Sequence, residues 1–169
     1  NPTQAEELFS HVADLVKAAN PSRTLELYAG VGSLTTFLAR LGGEVTAVES
    51  WVASVESSRH NLGRAGFRQV RTVCADVKAY LADPGERPDV VVMDPPRTGC
   101  EEEVLHRLGA LAPKTVVYVS CNPATLARDV GILRREGYEL SRVTPFDLFP
   151  QTAHVESVTL LRREPSPSP

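Results

Sequence analysis

Cys121 is placed in this sequence where a cysteine can act as a nucleophile. It belongs to the segment Ser120-Cys121-Asn122-Pro123, which follows an apolar, β-branched run. Asn122 is suited to cap a following helix and Pro123 to occupy its first position, so we expect Cys121 beside a helix N-terminus. The helix dipole favours a thiolate there, and a thiolate can add covalently to an electrophilic carbon. The alternative is a cysteine that packs as a small apolar side chain, which we predict for Cys74 inside a strand.

Two carboxylates are placed where they could work with this cysteine. Asp94 ends an apolar strand and begins the turn Asp94-Pro95-Pro96-Arg97, in which the prolines stiffen the backbone and Arg97 can bind a phosphate bidentately. A purely structural β–α turn is the alternative. Glu156 opens an apolar run two residues after His154, so both would face one side of a strand. Glu156 is then either a solvated rim residue or a partly desolvated base, and His154 either supports it or packs.

A glycine-rich turn provides a candidate cofactor site. The segment Tyr28-Ala29-Gly30-Val31-Gly32-Ser33 follows a strand-like run, and its glycines permit a tight turn and the close approach of a ligand. The dinucleotide motif needs a third glycine where this sequence has Thr35, which disfavours a pyrophosphate. Glu49, ending the second strand, can accept hydrogen bonds from both ribose hydroxyls of an adenosine, and Asp76, after the third strand, can contact adenine. The pattern favours S-adenosylmethionine, with a plain glycine turn as the alternative.

Short β-rich runs alternate with amphipathic segments, and these elements must position the groups described above. The spacing of apolar residues predicts an N-terminal helix over residues 3–18. Strands are predicted over residues 24–28, 44–49, 70–74, 89–93 and 115–120, with helices over 33–41, 52–65, 77–82, 101–110 and 123–136. This alternation is typical of right-handed βαβ crossovers, so we expect an α/β fold with a mostly parallel sheet. The glycine turn, Asp94 and Cys121 would then meet at one edge of the sheet.

The last part of the chain has a different pattern. Residues 138–146 and 154–162 form two strand-like runs with no helix between them, so we predict an antiparallel hairpin at an edge of the sheet. Residues 164–169 are rich in Pro and Ser and lack an apolar anchor, which predicts a disordered tail. We therefore expect one catalytic domain over residues 1–163.

The composition is that of one globular domain. The chain has 169 residues, of which 42% are hydrophobic, and its net charge of −3 gives no basic surplus for nucleic acid. No apolar stretch approaches the roughly 20 residues that cross a bilayer, and no export signal is visible. The three cysteines lack CxxC spacing, which argues against a disulfide framework and against a zinc site. Cys100 lies in a predicted turn and has no expected role. We therefore expect a reducing, cytoplasmic setting.

Four segments together resemble the motifs of the RNA uracil-C5 methyltransferases, which make 5-methyluridine in tRNA and 23S rRNA. The resemblance implies a Rossmann-like methyltransferase fold that uses S-adenosylmethionine, with Cys121 as nucleophile and Glu156 as the proton-abstracting base. Tyr28, Glu49 and Asp94 would contact the cofactor, whereas Ser33 stands where the family often has Asn. The segments cover nearly the whole chain in order and are residues 25–32, 94–99, 119–129 and 149–156.

The same resemblance implies an RNA substrate, either rRNA or tRNA. Arg97 and Asn122 would contact it, and the target uridine would leave its stack to reach the pocket. Members of the family usually carry an N-terminal RNA-binding domain, which this sequence lacks. We therefore expect a monomeric catalytic domain that binds RNA weakly by itself and has no membrane partner.

Three other functions fit part of the pattern. An S-adenosylmethionine-dependent N-methyltransferase would use the turn at Asp94, with Cys121 in a structural role. A hydrolase would pair Cys121 with His154, although the sequence has no GxSxG elbow and the cofactor features would then have no use. A non-catalytic module that binds the cofactor or RNA would need neither residue for chemistry.

Overall fold

The helices and strands follow one another in the order that the sequence predicts. The computed structural model describes residues 2–147 and 155–164. The strands are β1 (Arg23–Leu27), β2 (Glu44–Glu49), β3 (Val70–Cys74), β4 (Val90–Met93), β5 (Thr115–Ser120), β6 (Tyr138–Phe146) and β7 (Glu156–Arg163). The helices are α1 (Pro2–Ala19), α2 (Ser33–Ala39), α3 (Val52–Arg64), α4 (Val77–Ala82), α5 (Glu102–Leu111) and α6 (Pro123–Arg135). The predicted tail lies outside the described residues, except for Glu164.

Two differences from the predicted boundaries have clear local causes. Strand β1 ends at Leu27 because Tyr28 adopts a φ of 62°, a left-handed conformation that cannot continue a strand. Asp89 stands before β4, where its Oδ2 accepts hydrogen bonds from the backbone N–H groups of Ser22 at 2.9 Å and Arg23 at 3.2 Å. The carboxylate therefore ties the start of β1 to the start of β4.

The strands form one seven-stranded sheet in the order β3-β2-β1-β4-β5-β7-β6. The first five strands are mutually parallel, whereas β7 pairs antiparallel with both β5 and β6. The predicted α/β class and the antiparallel pairing at the edge of the sheet are thus confirmed. Because β7 runs opposite to β5, its first residues lie at the edge where the parallel strands end.

Apolar clusters cover both faces of the sheet. Helices α1 and α2 pack on one face, with Leu8, Val12, Val16, Leu34 and Leu38 buried against residues of β4 and β5. Helices α4, α5 and α6 pack on the other, with Leu81, Leu105, Leu108 and Leu133 buried. Each of these side chains contributes about 1.5–3 kcal/mol by leaving water, so both faces hold the strands rigidly behind the turns that follow them. No helix in the described parts of the chain is long and apolar enough to cross a membrane.

Candidate active site

The turn after β1 has the backbone that a close ligand contact requires. Gly30 and Gly32 adopt φ values of 55° and 84°, in the region that favours glycine. Apart from Gly30 itself and its two neighbours in the chain, no atom lies within 4 Å of the position that a Cβ on Gly30 would take, whereas a Cβ on Gly32 would collide with Ser58. Gly30 therefore borders open space, and Gly32 fixes the turn against helix α3. Ser33 begins α2 and is exposed.

Glu49 is fastened to this turn through its carboxylate. Its Oε2 accepts a hydrogen bond from the N–H of Gly30 at 2.9 Å, and its Oε1 accepts one from the N–H of Trp51 at 2.8 Å. Oε1 also accepts from the hydroxyl of Ser50 at 3.3 Å, whereas Oε2 keeps a second lone pair that can accept from a ligand hydroxyl. Asp76 is exposed and caps helix α4, with its Oδ1 accepting from the N–H of Ala79 at 2.9 Å. The predicted ribose contact of Glu49 and adenine contact of Asp76 stay predictions.

A buried glutamate stands beneath the glycine turn. Glu26 is only 2% exposed, and neither its Oε2 nor the Oγ1 of the neighbouring Thr35 has a hydrogen-bond partner among the described residues. Desolvation raises the pKa of Glu26 to about 8; the hydroxyl of Thr35 opposes this shift and the charge of Asp94 adds to it. Glu26 is therefore protonated at neutral pH. Glu26 belongs to the segment 25–32 named above, and it is buried because β1 lies in the interior of the sheet.

Asp94 and Cys121, which the sequence predicts at one edge of the sheet, come together with Glu156 in one cleft. They line a cavity of about 160 Å³ with Val119 and three residues of α1, namely Ala5, Leu8 and Phe9. Asp94 follows β4, Cys121 follows β5, and Glu156 is the first residue of the antiparallel β7. Sequence reasoning missed the wall provided by α1, because apolar periodicity identifies a buried helix face without indicating what it covers.

The electrostatics of the cleft are dominated by its two carboxylates. Asp94 reaches solvent through the mouth of the cleft, but protein on its other sides removes much of its hydration. This desolvation, together with the negative charge of Glu156, raises the pKa of Asp94 to about 7. Asp94 thus holds a proton for part of the time at neutral pH and can either donate or accept a hydrogen bond.

Cys121 lies half-buried just before helix α6, as predicted. Asn122 caps that helix by accepting a hydrogen bond from the N–H of Ala124 at 3.0 Å, and Pro123 is its first residue. The side-chain amide of Asn122 also donates to the carbonyl of Arg97 at 3.2 Å. Arg97 is exposed on the turn that follows Asp94. The predicted substrate contacts of Arg97 and Asn122 stay predictions, and His154 lies outside the described residues.

The other two cysteines differ from what the sequence predicts. Cys74 is exposed, because β3 is the outermost strand of the sheet, so its predicted place in the core is wrong. Cys100 has a structural role that was not expected: it is 5% exposed, and its Sγ lies 3.9 Å from the hydroxyl of Tyr118 and beside that of Tyr28. Burial raises the pKa of Cys100 to about 12, so this thiol stays protonated.

The sheet order and the glycine turn at its carboxyl edge define the class. Together they are those of the Rossmann-like S-adenosylmethionine-dependent methyltransferases. The sequence model described as "tRNA (Uracil-5-)-methyltransferase" matches residues 85–164. The matched residues make up a little under half of the chain.

Two similar proteins are described as RNA methyltransferases. The chain is 46% identical over 161 residues to an uncharacterized RNA methyltransferase of Gloeobacter violaceus, covering 95% of this chain and 35% of that protein. It is 38% identical over 166 residues to an uncharacterized RNA methyltransferase of Clostridium acetobutylicum, covering 96% of this chain and 36% of that protein. The chain thus spans about one third of the length of these relatives.

One solved structure is similar to this chain in both fold and sequence. The tRNA (uracil-54, C5)-methyltransferase of Pyrococcus abyssi, in complex with S-adenosyl-L-homocysteine, superposes with a TM-score of 0.72 at 34% identity. The match covers 82% of this chain and 33% of that one.

Proposed function

We propose that this domain transfers a methyl group from S-adenosylmethionine to C5 of a uridine in structured RNA, with Cys121 as covalent nucleophile. The observation that carries the proposal is the cleft in which Cys121, Asp94 and Glu156 meet. A methyltransferase that acts on nitrogen, or a module that only binds, has no need of a thiol in that position.

The residues at the glycine turn fit the cofactor. Open space beside Gly30 admits a ligand close to the backbone, and Glu49 is held at the same turn with a spare lone pair on Oε2. The bound S-adenosyl-L-homocysteine named for the relative of Pyrococcus abyssi supports this choice of ligand. When bound, the cofactor supplies a methyl group on a sulfonium, which is electrophilic and needs a carbon nucleophile.

Uracil C5 is a poor nucleophile, and the role of Cys121 is to activate it. Its thiolate forms a bond from Sγ to C6, and the electron pair of the C5=C6 bond moves towards O4, so that C5 gains enolate character and can take the methyl group. Asp94, whose pKa is raised to about 7, can donate a hydrogen bond to the developing charge at O4. The target uridine must leave its stack to enter the cleft.

Glu156 completes the reaction as the base. It removes the proton from C5 of the methylated adduct, the electron pair re-forms the C5=C6 bond, and the thiolate of Cys121 leaves from C6. The nucleophile and the base therefore act in separate steps, which explains why both line the same small cavity.

Covalent trapping tests the proposal directly. RNA that contains 5-fluorouridine cannot lose a proton at C5, so after methyl transfer we expect a stable adduct, detected by mass spectrometry as protein plus RNA plus methyl. Cys121→Ser is expected to abolish it. Cys74→Ser is the matched control, because that thiol is exposed and lies outside the cleft.

The other outcomes assign the alternatives. If the wild-type protein binds the RNA in a gel-shift assay but forms no adduct, or if the adduct survives Cys121→Ser, the covalent mechanism is wrong. Methylated RNA without an adduct would favour an N-methyltransferase, and cofactor binding with neither product would favour a binding module. Thioester hydrolysis that is lost in Cys121→Ala would favour a hydrolase.

A further inference from the structure

One face of helix α6 binds the backbone of the turn that follows Asp94. The amide of Asn122 and the hydroxyl of Thr125 lie 3.2 Å and 3.3 Å from the carbonyl oxygen of Arg97, to which both donate. The Nη2 of Arg128 donates to the carbonyl oxygens of Thr98 and Cys100, both at 3.0 Å. The spacing of residues 122, 125 and 128 places all three on one side of the helix.

Asp129 is the centre of this contact. It is 0% exposed, and its Oδ2 accepts hydrogen bonds from the N–H of Cys100 at 2.8 Å and from the hydroxyl of Tyr118 at 2.6 Å. Its Oδ1 accepts from the Nε of Arg128 at 2.8 Å. A buried carboxylate is tolerated only when it is satisfied in this way, so Asp129 holds its partners firmly.

The turn has no space in which to move along the helix. Gly99 has a φ of 74°, and a Cβ built on it would lie 2.6 Å from Nη2 of Arg128 and 2.7 Å from Oδ2 of Asp129. The backbone of residues 97–100 therefore lies directly on α6. We call these contacts between residues 97–100 and the α6 side chains Asn122, Thr125, Arg128 and Asp129 the turn clamp.

We infer that Asp129 is a positioning residue that, through the turn clamp, fixes Asp94 and Arg97 relative to Cys121. Arg97 is the first residue of the clamped turn and Asp94 lies three residues before it, whereas Cys121 lies just before the clamping helix. Strands β4 and β5, which precede Asp94 and Cys121, pair with each other only as far as Met93 and Tyr118. Beyond that edge the clamp sets the distance across the cleft. This inference rests on the proposed function, because the distance matters for a reaction that uses both sides of the cleft.

Asp129→Asn is the test variant, because it keeps the volume but removes the charge that Arg128 and the N–H of Cys100 bind. The rate of adduct formation with 5-fluorouridine RNA is expected to fall about tenfold, because the loss of one charge-assisted hydrogen bond loosens the turn that carries Arg97. The affinity for S-adenosyl-L-homocysteine, measured by calorimetry, is expected to stay within about twofold, since the hydrogen bond between Glu49 and the N–H of Gly30 lies outside the turn clamp.

Tyr138→Phe is the matched control for a general loss of stability. Tyr138 is as buried as Asp129, and its hydroxyl donates to the carbonyl of Pro113 at 2.8 Å, where β5 begins and far from the cleft. We expect this variant to keep both the adduct rate and the cofactor affinity. If Asp129→Asn lowers both quantities equally, or if Tyr138→Phe lowers the adduct rate as much, Asp129 is only structural and the inference is wrong.

Amide hydrogen exchange separates this inference from the proposed function. Asp129→Asn is expected to speed exchange at the N–H of Cys100 relative to that of Val91 in the sheet, whereas Tyr138→Phe leaves this ratio unchanged. If the wild-type protein forms no adduct, the proposed function fails, and the exchange ratio alone decides whether Asp129 holds the turn. An unchanged ratio in Asp129→Asn would overturn the clamp even in an active protein.

Discussion

Replacement of Glu26 by Gln is expected to stabilise the protein at neutral and alkaline pH. The side chain is 2% exposed and lies on the central strand β1, where desolvation raises its pKa from 4.5 to about 8. Gln has the same shape but cannot ionise, and its amide can donate to the unpartnered Oγ1 of Thr35. The substitution therefore removes a buried group that resists ionisation.

The sign and size of the effect follow from the two pKa values. Below pH 4.5 the carboxyl is protonated in both the folded and the unfolded chain, so it imposes no ionisation penalty. As the pH rises from 4.5 to 8, the unfolded chain ionises while the folded one keeps its proton, so folding stability falls. Between pH 4.5 and pH 7 this loss is about 3 kcal/mol, at about 1.4 kcal/mol for each pH unit.

Urea unfolding of both proteins between pH 5 and pH 8 measures this difference. The stability advantage of Glu26→Gln should be small at pH 5 and grow to about 3 kcal/mol at pH 7. Glu44→Gln is the control, since it alters only an exposed ion pair with Arg23 and should change stability by less than about 1 kcal/mol. Parallel pH profiles for wild type and Glu26→Gln would refute the reasoning.

Three further predictions concern the turns and the cleft. Gly99→Ala should cost at least about 1 kcal/mol more folding stability than Gly85→Ala, because both positions have a positive φ but only a Cβ at residue 99 would collide with neighbouring atoms. Equal urea midpoints for the two variants would contradict this packing argument. Glu156→Gln should accumulate an adduct with ordinary uridine RNA, because the nucleophile still adds while the C5 proton stays; denaturing gel electrophoresis detects it, and normal turnover would exclude Glu156 as the base. Glu49→Gln should weaken binding of S-adenosyl-L-homocysteine about tenfold by loss of a charged acceptor, and an unchanged calorimetric affinity would remove Glu49 from the cofactor site.

The sequence was sufficient wherever the determining contacts are local. The helix cap at Asn122 and the first position of Pro123 depend on neighbouring residues only, and both were predicted correctly. The strand pattern then places Asp94 and Cys121 at one sheet edge by geometry alone. For the same reason the class of fold and the main groups of the cleft could be predicted together.

The features that the sequence does not predict depend on contacts between residues that are distant in sequence. The core location predicted for Cys74 is wrong and the structural role of Cys100 is missed, because the burial of both depends on strand order and on partners such as Asp129 and Tyr118, which local patterns do not reveal. The apolar face of α1 was predicted, but its part in enclosing the cleft requires the packed structure. The turn clamp was likewise invisible, since it joins side chains on α6 to the backbone atoms of another turn.

The position of β7 between β5 and β6 has a consequence for synthesis. A ribosome exposes Cys121 well before residues 156–163, so β5 keeps an unpaired edge until the last strand inserts beside it. Any chain that stops before β7 carries the proposed nucleophile without its base. Under the proposed mechanism, such a chain, if it folded far enough to react, would stay attached to its RNA, and insertion of the final strand would supply the base that releases the product.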